Sequence, residues 1–186
     1  MVIDNLTLTD LIGKGYFGDV FLTTKKESST FYATKVLDLS AIKGDDFAKD
    51  YIDKEMSILM DVNHPNIIEL KEIKKKENKI YLVMEYCNGG TLEKFLEKYQ
   101  EDNKKPLSEE IVQYIMRQIV EGMKYLSNKK IMHRYINLDN FLIKYEDENN
   151  KKNNNIMKAK IKIIDFGFST HLKKRRFSRF YFRLSN

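Results

Sequence analysis

The sequence predicts an α+β protein in two parts: a strand-rich first half carrying one packed helix, and a mainly helical second half. Three observations carry this. Residues 6–39 read as strands, with Leu6 and Leu8 set between threonines and "DVFLTT" and "FYATKVLDL" following a glycine cluster. A single stretch from about Asp46 to Asp61 spaces its apolar residues with a helical period, then stops at the Pro-containing breaker "NHPN". Beyond "NGG" at residues 88–90, where a hinge is expected, the longest periodic segment is helical.

The elements follow in order. On the 46–61 helix, Ala48, Tyr51, Ile52, Leu59 and Val62 form one apolar face, and Glu55 projects from the middle of it. Two strand-like runs come next, "IIELKEI" and "KIYLVMEYC", separated by a charged turn. A second helix opens at "TLEKFL". A third starts at Ser108, an N-cap residue with Glu109 and Glu110 in the first turn, where a helix favours negative charge. Its residues Ile111, Val112, Ile115, Met116, Ile119, Val120, Met123 and Leu126 cover roughly half the circumference, a face wide enough to want more than one neighbour. "YEDENNKKNNN" (145–155) reads as a polar, mobile insertion, and "KAKIKIIDFG" returns to a strand.

Composition narrows the function classes. Of the 186 residues, 42% are hydrophobic and 32% charged, the balance of a soluble globular chain. No apolar run approaches the ~18–20 residues that span a bilayer, and "MVIDNLTLTD" lacks a signal-peptide pattern. The lone cysteine, Cys87, excludes a disulfide framework and a cysteine zinc cluster, so a reducing, cytoplasmic setting is expected. The pI near 9.1 invites a nucleic-acid reading. However, Lys173, Lys174, Arg175, Arg176, Arg179 and Arg183 equal the whole net charge of +6, leaving 27 basic residues against 27 acidic ones. The basicity belongs to the tail, and the body makes no case for nucleic acid.

Four pieces of the sequence carry chemistry. Gly13, Gly15 and Gly18 lie in "GKGYFGDV", a weak motif by itself because dinucleotide folds share it. Here "DVFLTT" continues as a strand rather than a helix, which favours a glycine loop lying over nucleotide phosphates. Lys35 sits inside the apolar strand "YATKV", where an unpaired ammonium is costly, and Glu55 is its natural partner. Such a pair would aim the ammonium at the α- and β-phosphates of ATP. Asp165, at the end of an apolar strand before Phe166 and Gly167, is a natural Mg²⁺ ligand, and Asn140 offers a neutral oxygen to a second Mg²⁺. Finally, "HRYINLDN" (133–140) has the form H-R-x-x-x-x-x-N.

Taken together and in this order, these residues resemble the N-terminal two-thirds of a eukaryotic protein-kinase domain, over residues 6 to about 172. "KIYLVMEYCNGGTL" and "IIDFGFSTHL" look most like the autophagy-initiating serine/threonine kinases and their relatives. The resemblance implies a five-stranded antiparallel N-lobe over 1–87, a partial helical C-lobe over 88–171, and a basic, aromatic tail over 172–186. It implies that Met84 is the gatekeeper, that Glu85 and Cys87 supply hinge backbone to adenine, and that Ile12, Val20, Ala33 and Leu142 line the nucleotide. Leu59, Leu70, His133 and Phe166 would form the regulatory stack. The Cys87 thiol itself reads as a small buried hydrophobe.

Two departures qualify what the resemblance implies. The family's catalytic base is an aspartate, and here Tyr135 stands in its place. Phenols ordinarily ionise near pH ~10, so at neutral pH a phenol is a poor proton acceptor. The family's nearby lysine is replaced by Asn137, which removes a positive charge beside the γ-phosphate. Asp139 is close in sequence but is expected to face substrate. The second departure is truncation: the family's activation segment, A-P-E motif and later helices do not follow, and a protein partner is expected to cover the incomplete C-lobe. The tail "LKKRRFSRFYFRLSN" reads as an end unrelated to the domain or, less favoured, as a segment touching a membrane surface, calmodulin or nucleic acid. The expected function is an ATP- and Mg²⁺-binding pseudokinase. A serine/threonine kinase with residual activity and a vestigial product without stable function are the alternatives.

Overall fold

A computed structural model describes residues 1–15, 17–26 and 28–172. The strands β1 (Val2–Ile3), β2 (Leu6–Lys14), β3 (Gly18–Lys25) and β4 (Phe31–Asp38) precede the helix α1 (Asp46–Asp61). β5 (Leu70–Lys76) and β6 (Lys79–Glu85) complete a six-stranded antiparallel sheet in the order β1-β2-β3-β4-β6-β5. Five of these strands are the expected ones. β1 adds two residues at the edge through the pairs Val2 with Thr7 and Ile3 with Leu6. The expected strand "IIELKEI" begins only at Leu70, because Ile67 and Ile68 are buried in the core ahead of it.

The α1 helix takes the span its periodicity predicts. Asp45 caps it by accepting from the Ala48 amide, and its buried residues are Ala48, Tyr51, Ile52, Glu55, Ile58 and Leu59. That face packs on the sheet residues Leu37, Ile80 and Leu82 within one continuous core. A smaller cluster of Ile3, Leu6, Leu8, Tyr81 and Val83 covers the sheet's opposite face. Alternation along the strands thus sends one set of side chains to each face.

The second half holds α2 (Leu92–Asn103), α3 (Glu109–Asn128), β7 (Ile131–Met132), β8 (Phe141–Tyr145), α4 (Glu148–Lys152), β9 (Ala159–Ile163) and β10 (Thr170–His171). Ser108 caps α3 by accepting from the Ile111 amide. β8 and β9 form a hairpin, and β7 pairs with β10. The 145–155 insertion is more ordered than a loop. Asp147 caps α4 by accepting from the Asn149 and Asn150 amides, and a 3₁₀ turn at Ile156–Lys158 buries Ile156 and leads into β9. Asn/Asp capping chemistry explains how so polar a stretch forms a helical turn.

The wide apolar face of α3 is half covered. Ile115, Ile119 and Leu126 are buried against the hairpin side, with Gly122 letting Ile163 approach closely. Among the described residues nothing buries Val112, Met116 and Val120, which are 42%, 49% and 54% exposed. These three lie four residues apart and form a single bare stripe. Among the described residues no helix is long and apolar enough to cross a membrane.

Candidate functional site

Sheet register gathers the first group of side chains. Val20 pairs with Lys35, Lys35 with Leu82, Ala33 with Met84, and Gly13 with Val20. Directly opposed residues share a face of an antiparallel sheet, so all of these look toward α1. Ile12, at the outer end of β2, is exposed. The glycine loop closes on itself where the Gly15 amide donates to the Gly18 carbonyl at 2.8 Å. Gly18 has a structural reason of its own, since a Cβ there would fall 2.3 Å from the Val36 carbonyl oxygen. At Gly15 a Cβ would crowd the Lys35 side chain at 3.2 Å, so this backbone lies directly over the ammonium arm.

Lys35 and Glu55 meet as the sequence predicts. The ammonium donates to both carboxylate oxygens at 2.7 and 2.6 Å, and the residues are only 6% and 3% exposed. A buried charge is tolerated only when paired and hydrogen-bonded, and this geometry meets that condition.

The hinge is organised by a network that the sequence reading missed. Glu85 is buried, and its carboxylate takes Lys144 at 2.6 Å, Lys162 at 2.6 Å and the Glu69 amide at 2.9 Å. Burial pushes the Glu85 carboxyl up, but the Lys144 and Lys162 bonds outweigh it and hold the pKa below the ordinary value. Lys162 is hidden in "KIKII", whose alternation reads as a solvent-facing lysine. Its only signal was the bulky apolar residue on each side. Cys87 is buried beside this network, and burial first, then the Glu85 charge, push its thiol up to about 12. Leu142 is bridged to Thr91 just beyond the hinge glycines.

Residues 133–140 and the segment after β9 hold the remaining candidates. Asp165 has a left-handed backbone (φ 63°) and points its Oδ1 at both the Tyr51 hydroxyl (2.5 Å) and the Gly167 amide (3.3 Å). Phe166 is fully buried, edge-on to His133 at 5.1 Å, with Leu59 in the same core and Leu70 packed on it. Asn140 is buried and donates its amide to the Tyr135 carbonyl at 2.9 Å, which turns its Oδ1 the other way. Asn137 spends its side chain locally, accepting from the Asn140 amide at 2.9 Å as the cap of a 3₁₀ turn. Tyr135 is 46% exposed and sets its ring against Phe168 at 5.2 Å. Asp139 lies near Glu93 of α2, and its negative charge helps raise the Glu93 pKa.

Asp165 and Asn140 each keep a side-chain oxygen that could serve a cation. Among the described residues no cluster of three or more His, Cys, Asp or Glu could hold a metal unaided. A Mg²⁺ ion ordinarily takes one or two protein oxygens together with phosphates, and that limited donor set fits it.

The chain belongs to the protein kinase family: the protein kinase domain matches residues 6–182. The sequence is 34% identical over 165 residues to mouse serine/threonine-protein kinase 33, covering 88% of this chain and 31% of that protein. It is 32% identical to MAP kinase kinase kinase mkh1 of Schizosaccharomyces pombe, covering 87% of this chain and 14% of the relative. Human serine/threonine-protein kinase ULK1 is 33% identical over 166 residues, covering 88% of this chain and 15% of its own length. The chain thus spans a third or less of these relatives. Apart from Leu172, the basic tail (172–186) lies outside the described residues.

Proposed function

We propose that this protein is an ATP- and Mg²⁺-binding pseudokinase that acts through binding, to nucleotide and to a protein partner. The carrying observation is a contrast within one site. Lys35 and Glu55 are joined at 2.6–2.7 Å, while the position of the catalytic base is held by Tyr135 and that of the nearby lysine by Asn137. On this reading Gly13, Gly15 and Gly18 cover the phosphates and Lys35 binds the α- and β-phosphates. Ile12, Val20, Ala33, Met84 and Leu142 enclose the base, and Glu85 and Cys87 present hinge backbone. Asp165 and Asn140 hold the metal, which would neutralise phosphate charge when bound.

The losses fall on catalysis. General acid–base help is typically worth about 10²–10⁴ in rate. Tyr135 packs on Phe168 and Asn137 is committed to its cap, so neither supplies a base or a cation. The reading expects no phosphotransfer above background, either to a generic peptide or to the protein itself.

A thermal-shift titration tests the binding. Mg-ATP should raise the melting temperature saturably in the wild-type chain. Lys35→Met and Asp165→Asn should each reduce the shift. Equal shifts in all three proteins would sink the assignment, and robust phosphotransfer lost on Asp165→Asn would show an enzyme instead.

A further inference from the structure

Aromatic rings converge from three elements at the phosphate end of the site. Phe17, in the glycine loop, meets Tyr51 of α1 edge-on at 5.0 Å. Tyr51 meets Phe168 at 5.0 Å and 86°, and Phe168 meets Tyr135 at 5.2 Å and 62°. Phe47 flanks the group, 6.1 Å from Phe17 and 6.4 Å from Phe168. The rings run unbroken from the glycine loop, through α1 and the segment after Asp165, to the catalytic loop.

Tyr51 is the centre of this stack, and its hydroxyl bonds a critical atom. The buried phenol donates to Asp165 Oδ1 at 2.5 Å. Its ring also lies within 5.7 Å of the Lys35 ammonium. A Cβ on Gly167 would fall 1.9 Å from the Tyr51 Cζ, so the ring rests flush on backbone that only glycine leaves open.

We propose that Tyr51 is a latch on the metal site: its hydroxyl occupies the Asp165 oxygen that a divalent cation would take, so phenol and cation compete for it. The inference rests on the nucleotide-binding reading above. A Mg²⁺ ion needs carboxylate oxygen at about 2.0–2.1 Å, and its charge opposes the hydroxyl hydrogen held on the same atom. To admit the ion, Tyr51 withdraws from Asp165. Its ring contacts carry that movement to Phe17 and Phe168, so metal entry is coupled to release of the glycine loop and of residues 166–169.

The test uses Tyr51→Phe in the full chain, which keeps the ring and removes the donor. ATP affinity is measured by calorimetry from chelator to millimolar Mg²⁺. The metal-free affinity should match wild type within about twofold. The Mg²⁺ concentration giving half of the metal-dependent gain should fall about tenfold, the scale of one charge-assisted hydrogen bond. An unchanged Mg²⁺ midpoint overturns the latch. Amide hydrogen exchange on the nucleotide-free proteins gives a second readout: residues 15–18 and 165–169 should exchange faster in Tyr51→Phe. If neither protein binds ATP, the nucleotide reading fails, and the exchange result alone decides, unchanged protection overturning the latch.

Discussion

The two sides of the candidate site are built on different physics. On one, Lys35 and Glu55 lie buried under the sheet with both carboxylate oxygens engaged. On the other, Tyr135 stands half in solvent on a loop, and Asn137 serves only the turn it begins. The buried side is held by a penalty: removing either partner strands a charge in the core. No such penalty holds the exposed loop, whose residues can change with little cost to folding. An intact Lys–Glu pair therefore reports the fold first and catalysis only second, which is how a kinase-like frame can keep it while the exposed loop carries Tyr135 and Asn137.

The sharpest way to break this comparison is to remove one side chain from each region. Glu55→Ala leaves the Lys35 ammonium buried without its partner and should cost about 3–5 kcal/mol. Tyr135→Ala loses an exposed ring and one edge-to-face contact, worth about 0.5–1.5 kcal/mol. Denaturant unfolding of both variants measures the difference. Equal losses would mean the catalytic loop is as constrained as the buried pair.

The same division explains what could be read from sequence. Lys35 and Glu55 were legible because each is a charge set in an apolar pattern, and such a charge must find the other. The α1 span, the Ser108 cap and the antiparallel strands were legible from period and capping chemistry. Lys162 was not, because strand alternation sends a lysine outward unless a distant carboxylate takes it, and Glu85 lies 77 positions earlier in the chain. Tyr51 reads as core from its spacing, four residues before Glu55. Its hydroxyl bond to Asp165 depends on how α1 sits against the chain 114 residues later. The 145–155 insertion is the opposite case: its polarity reads as a mobile loop and hides a locally capped helical turn.

The apolar face of α3 sharpens the comparison at a different place. The sequence singles out the α3 face around Ile115, Ile119 and Met123 as the exposed one, yet Ile115 and Ile119 are buried, Met123 packs partly buried on the core, and the bare stripe is Val112, Met116 and Val120. Exposed apolar stripes of this kind drive association. The wild-type chain should show a concentration-dependent mean mass in sedimentation equilibrium. Met116→Glu should weaken that association at least several-fold, with unfolding free energy changed by no more than about 0.5 kcal/mol. A concentration-independent monomer in the wild type would mean that residues outside the described set cover the stripe.

His133 joins the two regions and gives the smallest predicted effect. Its Nε2 lies 2.9 Å from the Ile164 carbonyl, one residue before Asp165, and its Nδ1 accepts from the Tyr135 amide at 3.4 Å. Those roles together describe a neutral ring that donates from Nε2. Burial lowers its pKa, and the Ile164 bond and the Asp165 charge only partly oppose that. The unfolded chain therefore binds the proton more readily than the folded one. The stabilisation is fully present above the ordinary histidine value near ~6.5 and is lost as the pH falls from there toward the lowered folded value. His64, also lowered by burial, adds a loss of the same sign. Glu85, a depressed carboxyl, contributes only in the more acidic range, below about 4.3. Below pH ~6.5 each such histidine can contribute a slope of up to about 1.4 kcal/mol per pH unit. Replacing His133→Gln keeps an amide donor for Ile164 and should remove that residue's share of the slope while leaving the share from His64. Unfolding free energies measured between pH 7.5 and 5 on both proteins check this, with values roughly every half unit. An identical slope in His133→Gln would show that His133 is not held neutral, and that the catalytic loop and the Asp165 segment are not joined through it.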